Sequence, residues 1–229
     1  PANLARSVME NLIHEGRVVR GYLGVNIQNV TPALARQFSL SATAGALVTD
    51  VSPGSPADKA GLQPGDVILE FNGKPVRDSR HLKLQAGQSR PGTRVPVQIV
   101  REGRPRKLEV TLAEFAGEET GPSREKAPAG AGERLKGVGV ADLAAEDRRQ
   151  LQLPTYIRGA LVTAVEQDSA AYAAGLRVGD IILEINRKPV SGADEVVAMT
   201  RRMETKEILL RIWSQGGTRY LVVNDSGAG

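Results

Sequence analysis

The sequence predicts a strand-rich, mixed α+β protein made of two copies of one module. Three observations lead there. Residues 45–76, GALVTDVSPGSPADKAGLQPGDVILEFNGKPV, return as residues 159–190, GALVTAVEQDSAAYAAGLRVGDIILEINRKPV, at a constant offset of 114 with 20 of 32 positions identical. Self-similarity of that length defines the architecture before any local feature is read. The segments around each copy then follow the same order of strand-period and helix-period patterns. Finally, residues 116–133, AGEETGPSREKAPAGAGE, separate the copies with Gly, Ala, Pro and charge and no hydrophobic period, which is linker composition.

Bulk properties narrow the field. The 229 residues suit two domains, each large enough to close a small core without disulfides or metals. Only 3% of residues are aromatic, so the cores must be Val, Leu, Ile and Ala. The 30 basic and 26 acidic residues are interspersed and leave a net charge of +4. A nucleic-acid binder would show a basic stripe with interleaved aromatics instead. Without cysteine there is no disulfide framework and no thiolate metal site. No apolar run approaches the ~18 residues of a membrane span. The chain opens on PANLARSVMENLIHEG, without an initiator Met or a signal-peptide pattern, and reads as a stretch of something longer.

In order along the chain, Leu4, Val8, Leu12 and Ile13 form one apolar face of a helix over 3–16, capped by Asn3 and stopped by Gly16. It is the main feature of residues 1–19, ahead of the first module, residues 20–115. Leu23, Val25 and Ile27 alternate with small or polar residues, the strand period. Thr31-Pro32 opens a short helix through Phe38, with Thr as N-cap and Pro at the first helical position. The near-continuous apolar run Gly45–Val51 reads as a central strand. Ser55-Pro56 caps one or two helical turns that end at Gly61. Pro64-Gly65-Asp66 is a turn into strand Val67–Phe71, and Asn72-Gly73 is a hairpin dipeptide. Asp78 or Ser79 caps a longer helix to about Ser89, with Leu82 and Ala86 on one face. Residues 95–100 and 108–112 make a closing hairpin, in which Pro96 marks an edge or a bulge.

The second module, residues 134–225, repeats this order. Val138-Gly139-Val140 answers Leu23-Gly24-Val25 at an offset of 115, so the copies differ by one residue between the two matching blocks. Helices are expected over about 144–151 and 192–203, and strands over 159–165, 180–185, 207–213 and 218–223. Each module is then a small sandwich or partly open antiparallel barrel with two helices.

The chemistry sits in Tyr22-Leu23-Gly24-Val25. A glycine at the start of a strand lets successive N–H groups turn into one concavity, an anion-binding nest. A strand leaving the nest beside a helix makes a groove with an open edge. An extended peptide can join that edge, with its terminal carboxylate in the nest and its last side chain in an apolar pocket. A tight turn into an ordinary strand is the other reading of so short a pattern.

With these elements in hand the chain resembles a family. Tyr-Leu-Gly-Val, SPADKAGLQPGDVILEFNGKPV and the 78–89 helix together look like a PDZ domain, in a strand order like the circularly permuted bacterial type. Gly137-Val138-Gly139-Val140 with SAAYAAGLRVGDIILEINRKPV looks like another. Tandem PDZ domains preceded by SVMENLIHEGRVVRGYLGV resemble the C-terminal part of the HtrA/Deg bacterial serine proteases, and the resemblance covers nearly everything except the linker.

The resemblance implies a regulatory region that binds hydrophobic C-terminal tails of unfolded or misfolded proteins in the periplasm. It would serve a protease domain that lies outside this stretch, in quality control and the stress response. The N–H groups of Leu23, Gly24 and Val25, beside Tyr22, would hold the carboxylate, and Arg20 would add charge. Val25, Asn26 and Ile27 would pair with the peptide, and Leu82, Gln85 and Ala86 would face it. In the second module Gly137, Val138, Gly139 and Val140 take the first role and Val196, Met199 and Thr200 the second. These last side chains are bulkier and would narrow that groove. The alternative is a structural or oligomerisation module with little peptide binding. The resemblance also implies a homo-trimer or higher for the full-length protein, with a monomer expected for this stretch alone.

No cofactor or metal is expected, and no catalytic residue. A His–Asp–Ser triad needs a Gly-rich turn around its nucleophile. The two histidines, His14 and His81, have no such serine. Asp66 and Asp180 repeat just before a strand without a repeated base, so each is expected to bond the backbone of its own turn.

Overall fold

Capped helices of one to three turns and antiparallel strands build the computed structural model, which describes residues 21–114, 135, 137–201 and 207–224. The helix expected over 3–16, Arg20 and the linker at 116–133 lie outside the described residues. The chain divides into two compact units, 1–119 and 120–229.

The first unit runs β1 (Gly21–Tyr22), β2 (Val25–Asn29), α1 (Pro32–Gln37), β3 (Ala46–Val51), α2 (Pro56–Lys59), β4 (Val67–Phe71), β5 (Lys74–Pro75), α3 (Ser79–Gln88), β6 (Arg94–Arg101), β7 (Arg104–Thr111) and β8 (Ala113–Glu114). Its main sheet has the order β2-β3-β4-β6-β7, with β5 on β4, and a separate ribbon pairs β1 with β8. The second unit runs β9 (Val138–Asp142), α4 (Ala145–Gln150), β10 (Ala160–Val165), α5 (Ala170–Ala173), β11 (Ile181–Ile185), β12 (Lys188–Pro189), α6 (Ala193–Arg201), β13 (Glu207–Ser214) and β14 (Gly217–Asn224). Its sheet is β9-β10-β11-β13-β14, with β12 on β11. Both sheets are open, and β2 and β9 are edge strands.

The caps follow from local chemistry. Thr31 Oγ1 accepts the Leu34 N–H at 3.3 Å, Ser55 Oγ accepts that of Asp58 at 3.2 Å, and Asp78 Oδ1 accepts that of His81 at 2.7 Å. Each satisfies a donor that the first helical turn leaves unpaired. Asn72 and Gly73, both at positive φ, make the expected tight hairpin. The repeat extends to the irregularities. The β2–β3 ladder skips Thr49 and the β9–β10 ladder skips Thr163, while Leu69 and Leu183 are skipped in the next pairings. Such bulges bend a strand and re-aim its side chains.

Pro96 tolerates its place because β4 stops at Phe71, opposite Val97. Beyond that point the Pro96 carbonyl accepts the Asn72 N–H at 2.8 Å, and no ladder donor is needed. Each unit has its own aliphatic core. Leu82 and Ala86 of α3 seal the first against Val48, Ile68 and Val97, and Val196 of α6 seals the second against Val140, Val162 and Leu210.

Candidate functional site

The site begins with the turn between β1 and β2. Gly24 has φ +80°, a region that other L-residues avoid. A Cβ there would collide with Ser55 at the start of α2. The turn is therefore pressed against α2, and its carbonyls are tied down. The Leu23 carbonyl accepts the Ala57 N–H at 2.9 Å. The Gly24 carbonyl accepts the Ser52 N–H at 2.9 Å and the Ser55 hydroxyl at 3.3 Å. Neither the Leu23 nor the Gly24 N–H donates a backbone hydrogen bond to a described residue. With the carbonyls committed inward, two successive donors are left at the head of an edge strand, the arrangement of an anion nest.

Beside this edge lies α3. The Ser79 N–H and hydroxyl both donate to Asn29 Oδ1, at 3.0 and 2.7 Å, and anchor the helix to the far end of β2. At roughly 100° per residue, Lys83 and Ala86 come round to the side of Ser79, while Leu82 leans into the core. Gln85 is turned away, and its Nε2 donates to the Pro75 carbonyl on β5 at 3.3 Å. The expectation that Gln85 faces the groove is thus corrected. The helix phase set by Ser79 puts Lys83 there instead. Leu82 and Ala86 are buried in the core of the first unit. His81 is half-buried, and its Nδ1 accepts the Arg77 N–H at 3.3 Å.

The second module builds its counterpart in a shifted register. Val25 pairs with Val51 and Val138 with Val165, while the Gly24 and Gly137 carbonyls accept the Ser52 and Glu166 N–H groups, respectively. The equivalent of Gly24 is therefore Gly137, with φ +77°, at an offset of 113. The match of Val138-Gly139-Val140 to Leu23-Gly24-Val25 is corrected by two residues. Gly139 and Val140 are in strand β9, opposite Ala164 and Val162. The one-residue length difference falls in the loop before β10. Four residues, 41–44, precede Gly45, and five, 154–158, precede Gly159.

This second turn is arranged differently. The Val138 N–H donates back to the Leu135 carbonyl at 2.6 Å. Glu166 stands where the first module has Ser52, and a Cβ on Gly137 would lie 2.6 Å from its Oε2. A carboxylate therefore already sits beside the turn. On α6, Val196 is buried, Met199 packs against the core, and Thr200 Oγ1 donates to the Val196 carbonyl at 2.8 Å. Val197, at the position of Lys83, also packs against the core. The start of α6 is held by Asp142, whose Oδ1 accepts the Ala193 N–H at 2.7 Å. Next to it Glu195 accepts the Ser191 N–H at 2.7 Å, and that backbone hydrogen bond holds its carboxyl below the usual range.

Asp66 and Asp180 do bond their own turns, accepting the Gln63 and Arg177 N–H groups at 2.9 Å each. Sequence reasoning missed their arginines. Arg101 grips Asp66 through Nε and Nη2 at 2.6 and 2.7 Å and also donates to the Gly61 carbonyl. That hydrogen bond to Asp66 raises the Arg101 pKa. Arg219 approaches Asp180 only to 3.5 Å. One arginine ends β6 and the other lies on β14, so the internal repeat holds no signal for them. No group of His, Asp or Glu among the described residues could hold a metal ion, and no described helix is long and apolar enough to cross a membrane.

An edge strand with a positive-φ glycine turn at its head and a helix alongside is the architecture of a peptide-binding domain, and comparison with known proteins agrees. The PDZ-domain family matches residues 21–112 and again 161–214; the chain belongs to that family and carries two PDZ domains. It is 36% identical over 223 residues to a probable periplasmic serine endoprotease, DegP-like, of Chlamydia trachomatis, covering 97% of this chain and 43% of that protein. A protein of the same description from Ectopseudomonas mendocina is 36% identical over 228 residues, covering 96% and 46%. The chain thus spans less than half the length of these curated relatives, and what it shares with such HtrA/DegP-like proteases is their PDZ region. A solved HtrA-type protease, AlgW with a decapeptide, is 36% identical over 52% of this chain and 36% of its own, with a TM-score of 0.46.

Proposed function

We propose that the first module is a receptor for the C-terminal ends of hydrophobic peptides. One observation carries this reading. The Leu23 and Gly24 carbonyls are bonded inward to Ala57, Ser52 and Ser55, while the Leu23 and Gly24 N–H groups have no backbone acceptor among the described residues at the head of edge strand β2. A terminal carboxylate fits those donors, the peptide backbone extends the sheet at β2, and its last side chain meets the apolar floor made by Leu82 and Ala86. Val25, Asn26 and Ile27 supply the pairing edge, and Lys83 flanks the groove. Arg20, just upstream of the nest, adds positive charge to the carboxylate end.

In the whole protein this receptor serves an HtrA-like serine endoprotease of the bacterial periplasm. It captures exposed tails of unfolded or misfolded proteins, presents them to the protease domain and regulates its activity and assembly. The relatives named periplasmic serine endoproteases support this placement. The second module is assigned the alternative role, with little capture of free C-termini, because Glu166 stands beside its turn and the Val138 N–H is already engaged.

The test is calorimetric titration of the chain with a hydrophobic peptide bearing a free C-terminus and with its amidated form. Charge-assisted hydrogen bonds from the nest should make the free acid bind at least about tenfold tighter. Equal affinity for the two would remove the nest from the mechanism.

A further inference from the structure

A cleft among the described residues of the second module lies at the Asp142 end of β9, away from Gly137. It encloses about 900 Å³ and is lined by Arg148, Arg149 and Arg158, together with Asp142, Leu153 and Ser191. All three arginines line this cleft, and none forms an ion pair with an acidic side chain among the described residues. Arg148 is half-buried, and its Nη1 is held by the Ile157 carbonyl at 2.8 Å. Arg149 and Arg158 are exposed. Asp142, whose Oδ1 accepts the Ala193 N–H, contributes one negative charge to the same lining, so the three arginines leave the cleft with an excess of positive charge.

The first module has nothing comparable. In the strand-derived register Ala35, Arg36 and Ala44 occupy the corresponding positions, which leaves one arginine of three. The loop carrying Arg158 is also where the second copy gains its extra residue.

The cleft is continuous with the edge strand. Asp142 ends β9 and Ser191 leads into α6, so the arginines stand where the β9–α6 groove opens. A strand added antiparallel to β9, with its C-terminal end near Gly137, runs toward Asp142. At about 3.3 Å per residue, the five residues of β9 span roughly 17 Å. Side chains about five to seven residues upstream of the Gly137 end of such a peptide then reach the arginines. Guanidinium groups recognise carboxylates through paired, charge-assisted hydrogen bonds.

We propose that Arg148, Arg149 and Arg158 form an acid-recognising subsite by which the second module takes extended peptide segments rich in Asp or Glu. The direction of approach rests on the strand-addition reading above, whereas the charge match does not. Because the acidic side chains supply the anchor, such a segment needs no free C-terminus. The second module would thus select internal acidic stretches while the first selects hydrophobic tails.

The probe is a fluorescein-labelled decapeptide with Asp-Glu-Asp-Glu in its N-terminal half and an amidated C-terminus, followed by anisotropy on the whole chain. The acidic peptide is expected to bind about tenfold or more tighter than its Asn-Gln-Asn-Gln isostere, and to weaken as salt rises. The exposed pair Arg149→Gln/Arg158→Gln should reduce that preference to under about twofold, with the melting curve unchanged. Binding of a free-acid hydrophobic peptide to the first module should be unaffected in the same variant. Equal affinity for acidic and isosteric peptides would overturn the proposal, as would a preference that survives the double substitution. Binding of inorganic phosphate or phosphatidylglycerol vesicles that displaces the acidic peptide and is lost in the variant would also overturn it, by placing the arginines on phosphate. If amidation fails to weaken the hydrophobic peptide while the acidic preference stands, the reading of the first module fails and this one survives.

Discussion

The first module holds its Leu23-Gly24 turn by the carbonyls and leaves the Leu23 and Gly24 N–H groups without a backbone acceptor among the described residues; in the second, the N–H of Val138, the counterpart of Val25, donates back to the Leu135 carbonyl, and the Glu166 carboxylate lies beside the turn. Around these turns the copies agree down to the bulges at Thr49 and Thr163. The difference teaches where such a module can change without refolding. The strands, the caps on α2 and α5 and the aspartates under β4 and β11 hold the scaffold. On the function proposed above, the ligand chemistry is set by a few positions around the turn and the groove. Ser52 is replaced by Glu166, Lys83 by Val197, Ala35 by Arg148 and Ala44 by Arg158. Each exchange alters charge or polarity, and two of them touch buried positions: Ala35 is buried in the first module, and Val197 packs against the core of the second.

The largest test of this contrast is Gly24→Pro set against Gly137→Ala. Proline removes a nest donor and forces φ to about −65°, where the chain needs +80°. Binding of a free-acid hydrophobic peptide should be lost, by more than about a hundredfold in calorimetry. Gly137→Ala also strains a positive φ and meets Glu166, whose carboxylate can swing aside but whose Cβ, 2.8 Å away, cannot, so its cost falls on the second module. It should leave peptide binding by the first module unchanged. An undiminished affinity in Gly24→Pro would dissolve the distinction between the two turns.

The second test compares the ion pairs beneath the sheets. Arg101 meets Asp66 with both hydrogen bonds under 2.8 Å and 17% side-chain exposure, whereas Arg219 stands 3.5 Å from Asp180 with 42% exposure. Asp66 is fully buried, so removing its partner leaves an uncompensated charge inside. Arg101→Met should therefore cost the first module about 3 kcal/mol. Asp180 is buried too, but it still accepts the Arg177 N–H and its pair with the exposed Arg219 is long and screened by water, so Arg219→Met should cost under about 1 kcal/mol. Urea denaturation of the whole chain, resolving the two units, checks both. Equal losses would show that the two aspartates are held alike.

Much of this was legible in the residues. The repeat delivered two modules, and the helix caps and the hairpin at Asn72-Gly73 followed from local chemistry. The register of the second turn did not. Gly137 and Gly139 lie two residues apart in GVGV, and both alignments keep an apolar residue after the glycine. Only positive φ and the hydrogen bond from Glu166 choose between them. Gln85 was misplaced for a related reason. A helix pattern rich in polar residues does not fix its phase to within one position, and the anchor that does, Ser79 to Asn29, spans fifty residues of sequence. Arg101 and Arg219 were invisible because each comes from a different strand of the closing hairpin, so no offset links them.

The smallest test asks whether the second turn is silenced by charge or by its own folding. Glu166→Ser installs the residue of the first module and removes a carboxylate from beside Gly137. The measurement belongs in a Gly24→Pro background, so that the first module does not report. A free-acid hydrophobic peptide should then gain about two- to fivefold in affinity at low salt. The gain is small because Glu166 is exposed and water already screens it. It should shrink further as salt rises, and the amidated peptide should gain nothing. The Val138 N–H remains bonded to Leu135 in this variant, which caps the improvement well below the affinity of the first module. No gain at low salt would assign the silence to that internal hydrogen bond alone. A gain that brings the second module level with the first would show that a single carboxylate separates the two receptors.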